Sequence, residues 1–147
     1  MNILEIKPED TYSIRHSVLR PNQPLDACKY DGDFNIGTLH FGAYKNELLI
    51  GIATFLESPN PDIPGSGHYQ LRGMACLPDF QGMGAGRSLI LHAEKVLKKR
   101  KADAWWCNAR LSASKYYQKL GLQSAGRIFK IPHIGEHIVM FKMLDAE

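Results

Sequence analysis

A chain of 147 residues, 44% apolar and 22% charged, has the length and balance of one globular domain able to bury a core. Its formal charge of +3 suits an anionic ligand but is too small to demand nucleic acid. Cys28, Cys76 and Cys107 lie far apart with no CxxC pair, which argues against a disulfide framework or a zinc knuckle.

The first six residues carry no basic region followed by a long apolar core, and no apolar run is long enough to span a bilayer. The expectation is a cytoplasmic protein without a membrane partner. In chain order, residues 2–7 alternate as a short strand. Pro8, Glu9 and Asp10 suit the first turn of a helix whose buried stripe would be Ile14, Val18 and Leu19. Residues 20–37 hold Pro21, Pro24, Gly32 and Gly37 with little periodicity. They read as a long loop with room for one helical turn, and a loop of that length is a candidate substrate lid.

Residues 40–44 and 48–56 read as strands joined by a hairpin at Lys45-Asn46-Glu47. Residues 58–67, with three prolines and two glycines, form a surface connection. Residues 68–77 make another strand, ended by Pro78. Leu89, Ile90, Ala93, Val96 and Leu97 give residues 87–101 the stripe of an amphipathic helix. Its tail, Lys98 to Lys101, reads as a solvated last turn opposing the helix dipole; as a nucleic-acid patch it lacks interleaved aromatics. Residues 104–108 are a buried strand with two tryptophans, 112–120 a short helix stopped by Gly121, and 122–131 and 137–144 the closing strands. The mixture predicts a single α/β domain over 1–147, with helices on the faces of a mixed sheet.

Between the strand before Pro78 and the amphipathic helix lies Gln81-Gly82-Met83-Gly84-Ala85-Gly86. Its glycines leave backbone N–H groups bare, and a helix mouth adds unpaired donors and partial positive charge, which together make an anion site. Each dipole contact supplies only roughly 0.3–1 kcal/mol, so several must converge. A Walker loop would end in GK[ST], but Gly86 is followed by Arg87-Ser88; the pattern GxGxxG would need glycine at Arg87. The alternative is glycines placed for tight packing.

These residues resemble the GNAT N-acetyltransferase superfamily, whose signature is Arg or Gln, two residues, Gly, one residue, then Gly or Ala. Gln81, Gly84 and Gly86 satisfy it. The strand Leu71 to Pro78 resembles the family's central strand, and Tyr116-Tyr117-Gln118-Lys119-Leu120-Gly121 matches a second signature. Leu122 replaces a common aromatic, and Met83 stands where a basic residue is frequent.

The resemblance implies an acyl-CoA N-acyltransferase fold, with a central, mostly antiparallel sheet splayed at the middle and helices on both faces. It implies acetyl-CoA as cosubstrate, no metal, and direct attack by a primary amine of a small-molecule or peptide acceptor. Met74, Ala75 and Cys76 would pair through main chain with the pantetheine arm, an N–H near Cys76 facing the thioester oxygen. Gln81, Gly82, Met83, Gly84, Ala85, Gly86 and Arg87 would hold the pyrophosphate, with Asn108 and Ser112 as further polar partners. Tyr117 would return a proton to the leaving thiolate; an amphipathic core aromatic is the competing reading.

Freeing the lone pair of an amine of pKa about 10.4 at pH 7 takes roughly 4–5 kcal/mol, so a base or a desolvated site is needed. Glu57, His68 and His137 are candidates, and none is assigned. His133 and His137 have no third ligand nearby. Cys76 and Cys107 sit in apolar strands and read as small hydrophobes, not nucleophiles. Asp31 and Asp33, near residues 20–24, either attract a cationic amine or serve as turn residues. A homodimer stays open, and so does a non-catalytic acetyl-CoA sensor.

Overall fold

The computed structural model describes residues 1–145; the last two residues of the expected 1–147 domain lie outside them. Its strands are β1 (Asn2–Glu5), β2 (Leu39–Lys45), β3 (Leu48–Glu57), β4 (His68–Cys76), β5 (Ala104–Arg110), β6 (Gln123–Ile131) and β7 (Gly135–Met143). The α-helices are α1 (Tyr12–Ile14), α2 (Ala85–Lys99) and α3 (Ser114–Lys119). The sheet runs β1-β2-β3-β4-β5-β7-β6. β1/β2, β2/β3, β5/β7 and β6/β7 are antiparallel, while β4 and β5 are parallel over His68↔Ala104 to Gln70↔Trp106. This is the mixed α/β sheet that the sequence predicts. The chain divides into two compact units: Met1–Leu56 with Leu71–Val96, and Glu57–Gln70 with the chain from Leu97 onward.

In the first unit the β2–β3 turn has positive φ at Asn46 (51°) and Glu47 (71°), the backbone of a two-residue hairpin whose twist matches its strands. Successive residues of β3 point to opposite faces. Ile52 packs with Ile14 and Ala75, whereas a Cβ on Gly51 would lie 3.4 Å from Leu89 of α2. α1 and α2 therefore cover opposite faces of this part of the sheet.

The first helix is not regular. Pro8–Thr11 is a 3-10 turn, Tyr12–Ile14 is α, and Arg15–Leu19 is a π turn closed by the Arg20 N–H on the Arg15 carbonyl at 3.0 Å. The wider turn rotates the apolar face. Ile14 is buried and Val18 half-buried, as spacing predicts, but Leu19 is 39% exposed and Arg15 takes the interior position instead.

Arg15 is fully buried and saturated at its tip. Nη1 donates to the Cys28 carbonyl (2.8 Å) and to Asp33 Oδ2 (2.7 Å); Nη2 donates to Asp33 Oδ1 (3.0 Å) and Thr54 Oγ1 (2.9 Å). Asp33 Oδ2 also accepts the Tyr30 N–H at 2.9 Å. His40 Nε2 faces the Asp33 carbonyl at 2.9 Å and so carries the proton, which leaves Nδ1 to accept from the Thr54 hydroxyl at 2.8 Å. One buried ion pair thus ties the 20–38 loop to the first helix and to β3. The helical turn expected in that loop is a 3-10 turn at Leu25–Cys28. Asp33 is a structural anchor, which decides its side of the alternative left by the sequence.

In the second unit Trp105 is fully buried, and Trp106 packs with Ile63, Ala104 and Phe141. Residues 58–67 are more than a surface connection. Ile63 enters that core, Trp106 Nε1 donates to the Ser58 carbonyl at 2.8 Å, and Asp103 accepts the N–H groups of Gly67 (2.8 Å) and Ser66 (3.0 Å). Those two bonds hold the Asp103 carboxyl below its ordinary range.

Removing one partner of a buried pair strands a charge. Asp33→Ala should lose about 3–5 kcal/mol of stability, read as a drop in urea midpoint. Arg15→Met combined with Asp33→Leu should recover most of that loss. A midpoint for Asp33→Ala equal to the parent's would remove the anchor assigned to this pair.

Candidate active site

β4 enters the site through its second half. Ala75 is buried with Ile14 and Ile52, while Met74 and Cys76 are half-buried. The Leu77 N–H donates to the Ile50 carbonyl at 2.8 Å, so strand alternation turns the main-chain groups of Ala75 toward β3 and those of Met74 and Cys76 toward the opposite edge. Past Gln70↔Trp106 no pairing of β4 with β5 is recorded among the described residues. Met74 and Cys76 accordingly present main chain on an edge with no strand ladder.

The turn that follows is braced from within. Pro78–Phe80 is a 3-10 turn, the Phe80 N–H bonds the Leu77 carbonyl at 2.9 Å, and Cys76 Sγ contacts the Phe80 carbonyl at 3.5 Å. Gln81 Nε2 donates to the Cys76 carbonyl at 3.2 Å. The first residue of the signature thus fastens the turn to the strand end. Gly82 and Gly84 have φ of 80° and 84°, and a Cβ on either would meet no heavy atom within 4 Å. The backbone demands glycine here; close packing does not.

Gln81, Gly82, Met83, Gly84 and Arg87 are exposed, Gly86 is half-buried, and Ala85 is buried. The Ser88 N–H bonds the Gly84 carbonyl at 2.9 Å, which makes Gly84 the cap of α2. The N–H groups of Ala85, Gly86 and Arg87 then have no acceptor inside the helix. An exposed turn with unpaired N–H groups at the positive end of a 15-residue helix can take an anion. The helix is seated by Leu89, Ile90, Ala93 and Leu97, each at most 1% exposed, as the spacing predicts.

The second unit carries the other candidates. Asn108 on β5 and Ser112 in the 3-10 turn Leu111–Ala113 are exposed. Tyr117 lies on α3, which ends at Gly121 (φ 98°). It lies beside Cys107, and the Tyr116 ring packs edge-on against its ring, with centroids 5.3 Å apart. Burial above all, then the neighbouring Cys107 and Tyr116, pushes the Tyr117 phenol well above its usual range, so it keeps its proton at neutral pH. Burial pushes the Cys107 thiol to about 12, against the opposing pull of the neighbouring Tyr117 side chain, and raises Cys76 as well. Neither thiol has the thiolate character of a nucleophile.

Two of the three base candidates are occupied. His68 is 3% exposed; Nδ1 accepts the Asn60 N–H at 3.1 Å and Nε2 donates to the Pro64 carbonyl at 3.0 Å, so the ring staples the 58–67 connection. His137 is buried, with Nδ1 donating to the Gly135 carbonyl at 2.9 Å and the ring 5.9 Å from that of Phe129. Glu57 is exposed and accepts the Tyr69 hydroxyl at 3.2 Å. Among the described residues no group of three or more His, Cys, Asp or Glu is gathered to hold a metal, and no helix is long and apolar enough to cross a membrane.

One feature escaped the sequence reading. Tyr30, Asp31, Asp33, Thr38, Leu56 and Arg72 line a shallow surface crevice in the first unit, too tight to admit a water molecule. Gly73, beside Arg72, has φ 65°, and a Cβ there would lie 2.9 Å from Tyr30 Cε2 and 3.3 Å from Arg15 Nε. A glycine inside a strand pattern is the signal that marks such a close approach.

Gly84→Val should lower thermal stability by about 1–3 kcal/mol, although the new side chain meets no protein atom; an unaltered melting temperature would contradict the backbone argument. Cys107 should resist iodoacetamide at pH 8 in the folded protein and react only after unfolding, as read by peptide mass spectrometry. Rapid native labelling would refute the burial that raises its thiol.

Residues 4–122 match the family model described as the acetyltransferase (GNAT) family. The uncharacterized N-acetyltransferase YitI of Bacillus subtilis (strain 168) is 44% identical over 144 residues, covering 98% of this chain and 97% of that protein. An aminoglycoside 6'-N-acetyltransferase solved with coenzyme A superposes with a TM-score of 0.76 at 16% identity, over 100% of this chain and 99% of that one. An acyl-CoA N-acyltransferase of Pseudomonas aeruginosa gives 0.72 at 16%, over 96% and 98%. At these identities the structures speak for the fold, and they share nearly its whole length. The family match and the identity to YitI across nearly the whole chain carry the conclusion: this chain belongs to the GNAT acetyltransferase family and is an acetyl-CoA-dependent N-acetyltransferase.

Proposed function

We propose that the enzyme acetylates a primary amine of a small molecule or peptide by direct attack, its two compact units acting as one domain. The observation that carries this is the open turn at the mouth of α2, where Gly82 and Gly84 hold positive φ with nothing packed on them. On this reading Gln81 to Arg87 hold the diphosphate, and Asn108 and Ser112 add polar contacts. Main-chain groups of Met74 and Cys76 line the pantetheine arm, whereas those of Ala75, expected there too, face β3; the Cys76 N–H stabilises negative charge on the thioester oxygen. Acetyl-CoA supplies the activated acyl group.

Tyr117 serves as the proton donor to the leaving sulfur. Its phenol stays protonated at neutral pH and so has a proton to give. Neither buried Cys107 nor Cys76 is given a covalent role.

Release of free CoA thiol, measured against a panel of amines, tests the reaction. Thermal stabilisation tests the cosubstrate: at a hundred times its dissociation constant, acetyl-CoA should add about 2.7 kcal/mol. Tyr117→Phe should cut kcat by roughly 10²-fold or more while acetyl-CoA affinity stays within threefold. An unaltered kcat would remove the proton-donor role. Stabilisation without thiol release from any amine would favour a non-catalytic sensor.

A further inference from the structure

Three guanidinium groups gather on the ring of Tyr30: Arg15 at 3.9 Å from its centroid, Arg72 at 4.9 Å and Arg20 at 5.3 Å. Arg15 is neutralised by Asp33. Arg72 has the ring as its recorded partner, and Arg20 adds only Gln23 Oε1 at 3.3 Å. Among the described residues neither pairs with a carboxylate. A ring can attract each cation, but cations crowded on one ring also repel one another. Arg72 and Arg20 together can hold an anion at this ring.

Its position narrows what that anion belongs to. Arg72 lines the crevice together with Asp31, which is exposed and has no recorded ion-pair partner among the described residues. An unpaired acid and an unpaired guanidinium on one crevice match the two charges of a zwitterion better than those of a polycation. Arg72 also lies two residues before Met74, about 7 Å along a strand. The kink at Gly73, with φ 65°, brings residues 72 and 73 against the same ring. A small molecule held at Arg72 is thus within a few bonds of the main chain proposed to line the thioester.

We infer that the acceptor amine carries a carboxylate, bound by the planar fork of Arg72 with Arg20 adding charge, so that the substrates are of amino-acid type. The guanidinium presents two parallel N–H donors to a carboxylate, a geometry that an ammonium group lacks. This inference rests on the amine-acetylation reading above, and Arg72 acts in it as a specificity-determining residue.

The test compares amines that differ only at the anionic group: leucine with leucinamide, phenylalanine with phenylalaninamide, and spermidine as a polycation. In the parent enzyme kcat/KM should favour the carboxylate member at least tenfold. In Arg72→Gln that ratio should fall toward one through KM, and Arg72→Lys should restore part of it. Melting temperatures of each variant with and without acetyl-CoA separate loss of acceptor recognition from loss of fold or cosubstrate binding. Carboxamides or spermidine acetylated as well as the carboxylates would overturn the inference, as would a preference that survives in Arg72→Gln. Silence of both amino acids in a protein that acetyl-CoA stabilises would overturn it too. Absence of that stabilisation would instead strike the acetyltransferase mechanism, and the inference with it.

Discussion

A guanidinium group stripped of water needs an acceptor for each of its N–H groups and a charge to balance its own. Arg15 finds the charge in Asp33 of the 20–38 loop and acceptors for both Nη groups in that loop and on β3, while its buried Nε has no hydrogen-bond partner. Asp33 supplies two oxygens, Cys28 a carbonyl and Thr54 a hydroxyl, while His40 closes the circuit from Thr54 back to the Asp33 main chain. A loop of this length has few apolar contacts to hold it, and a fully desolvated ion pair gives it one required position. That position is what sets Tyr30 against β4 and creates the crevice beside Arg72.

The proposed catalytic elements rely on a different economy, in which backbone replaces side chains. At the mouth of α2, conformations that only glycine adopts easily expose N–H groups instead of covering them, and Gln81 braces the turn from behind. The charge offered to a diphosphate is therefore fixed partial charge, already oriented before the ligand arrives. Met83, 43% exposed in the same turn, adds no positive charge there, so the proposed cradle would rely on its N–H groups and on Arg87.

The periodic parts of the chain were legible. Strand alternation, the α2 stripe from Leu89 to Leu97, the hairpin at Asn46-Glu47 and the stop at Gly121 all follow from local rules, and the structure has them within a few residues. The glycine turn was legible because its spacing encodes a backbone conformation. What escaped were the features made by contacts between distant segments. Leu19 was misplaced because a π turn breaks the 3.6-residue period, and nothing local to Arg15 announces that its carboxylate partner lies 18 residues on. His68 looked available as a base because its two partners, Asn60 and Pro64, come from a segment whose prolines read as mere surface.

Gly73 shows how tightly such distant positions are bound to one another. Its missing side chain is filled by the Tyr30 ring, and that ring in turn lies under Arg15, whose Nε atom also approaches Gly73. Positions 15, 30 and 73 thus occupy one shared volume, although almost sixty residues of chain separate the first from the last. In related sequences they should drift as a trio: wherever a bulkier residue stands at 73, a smaller one must have replaced the aromatic at 30, and the arginine loses the surface it rests on.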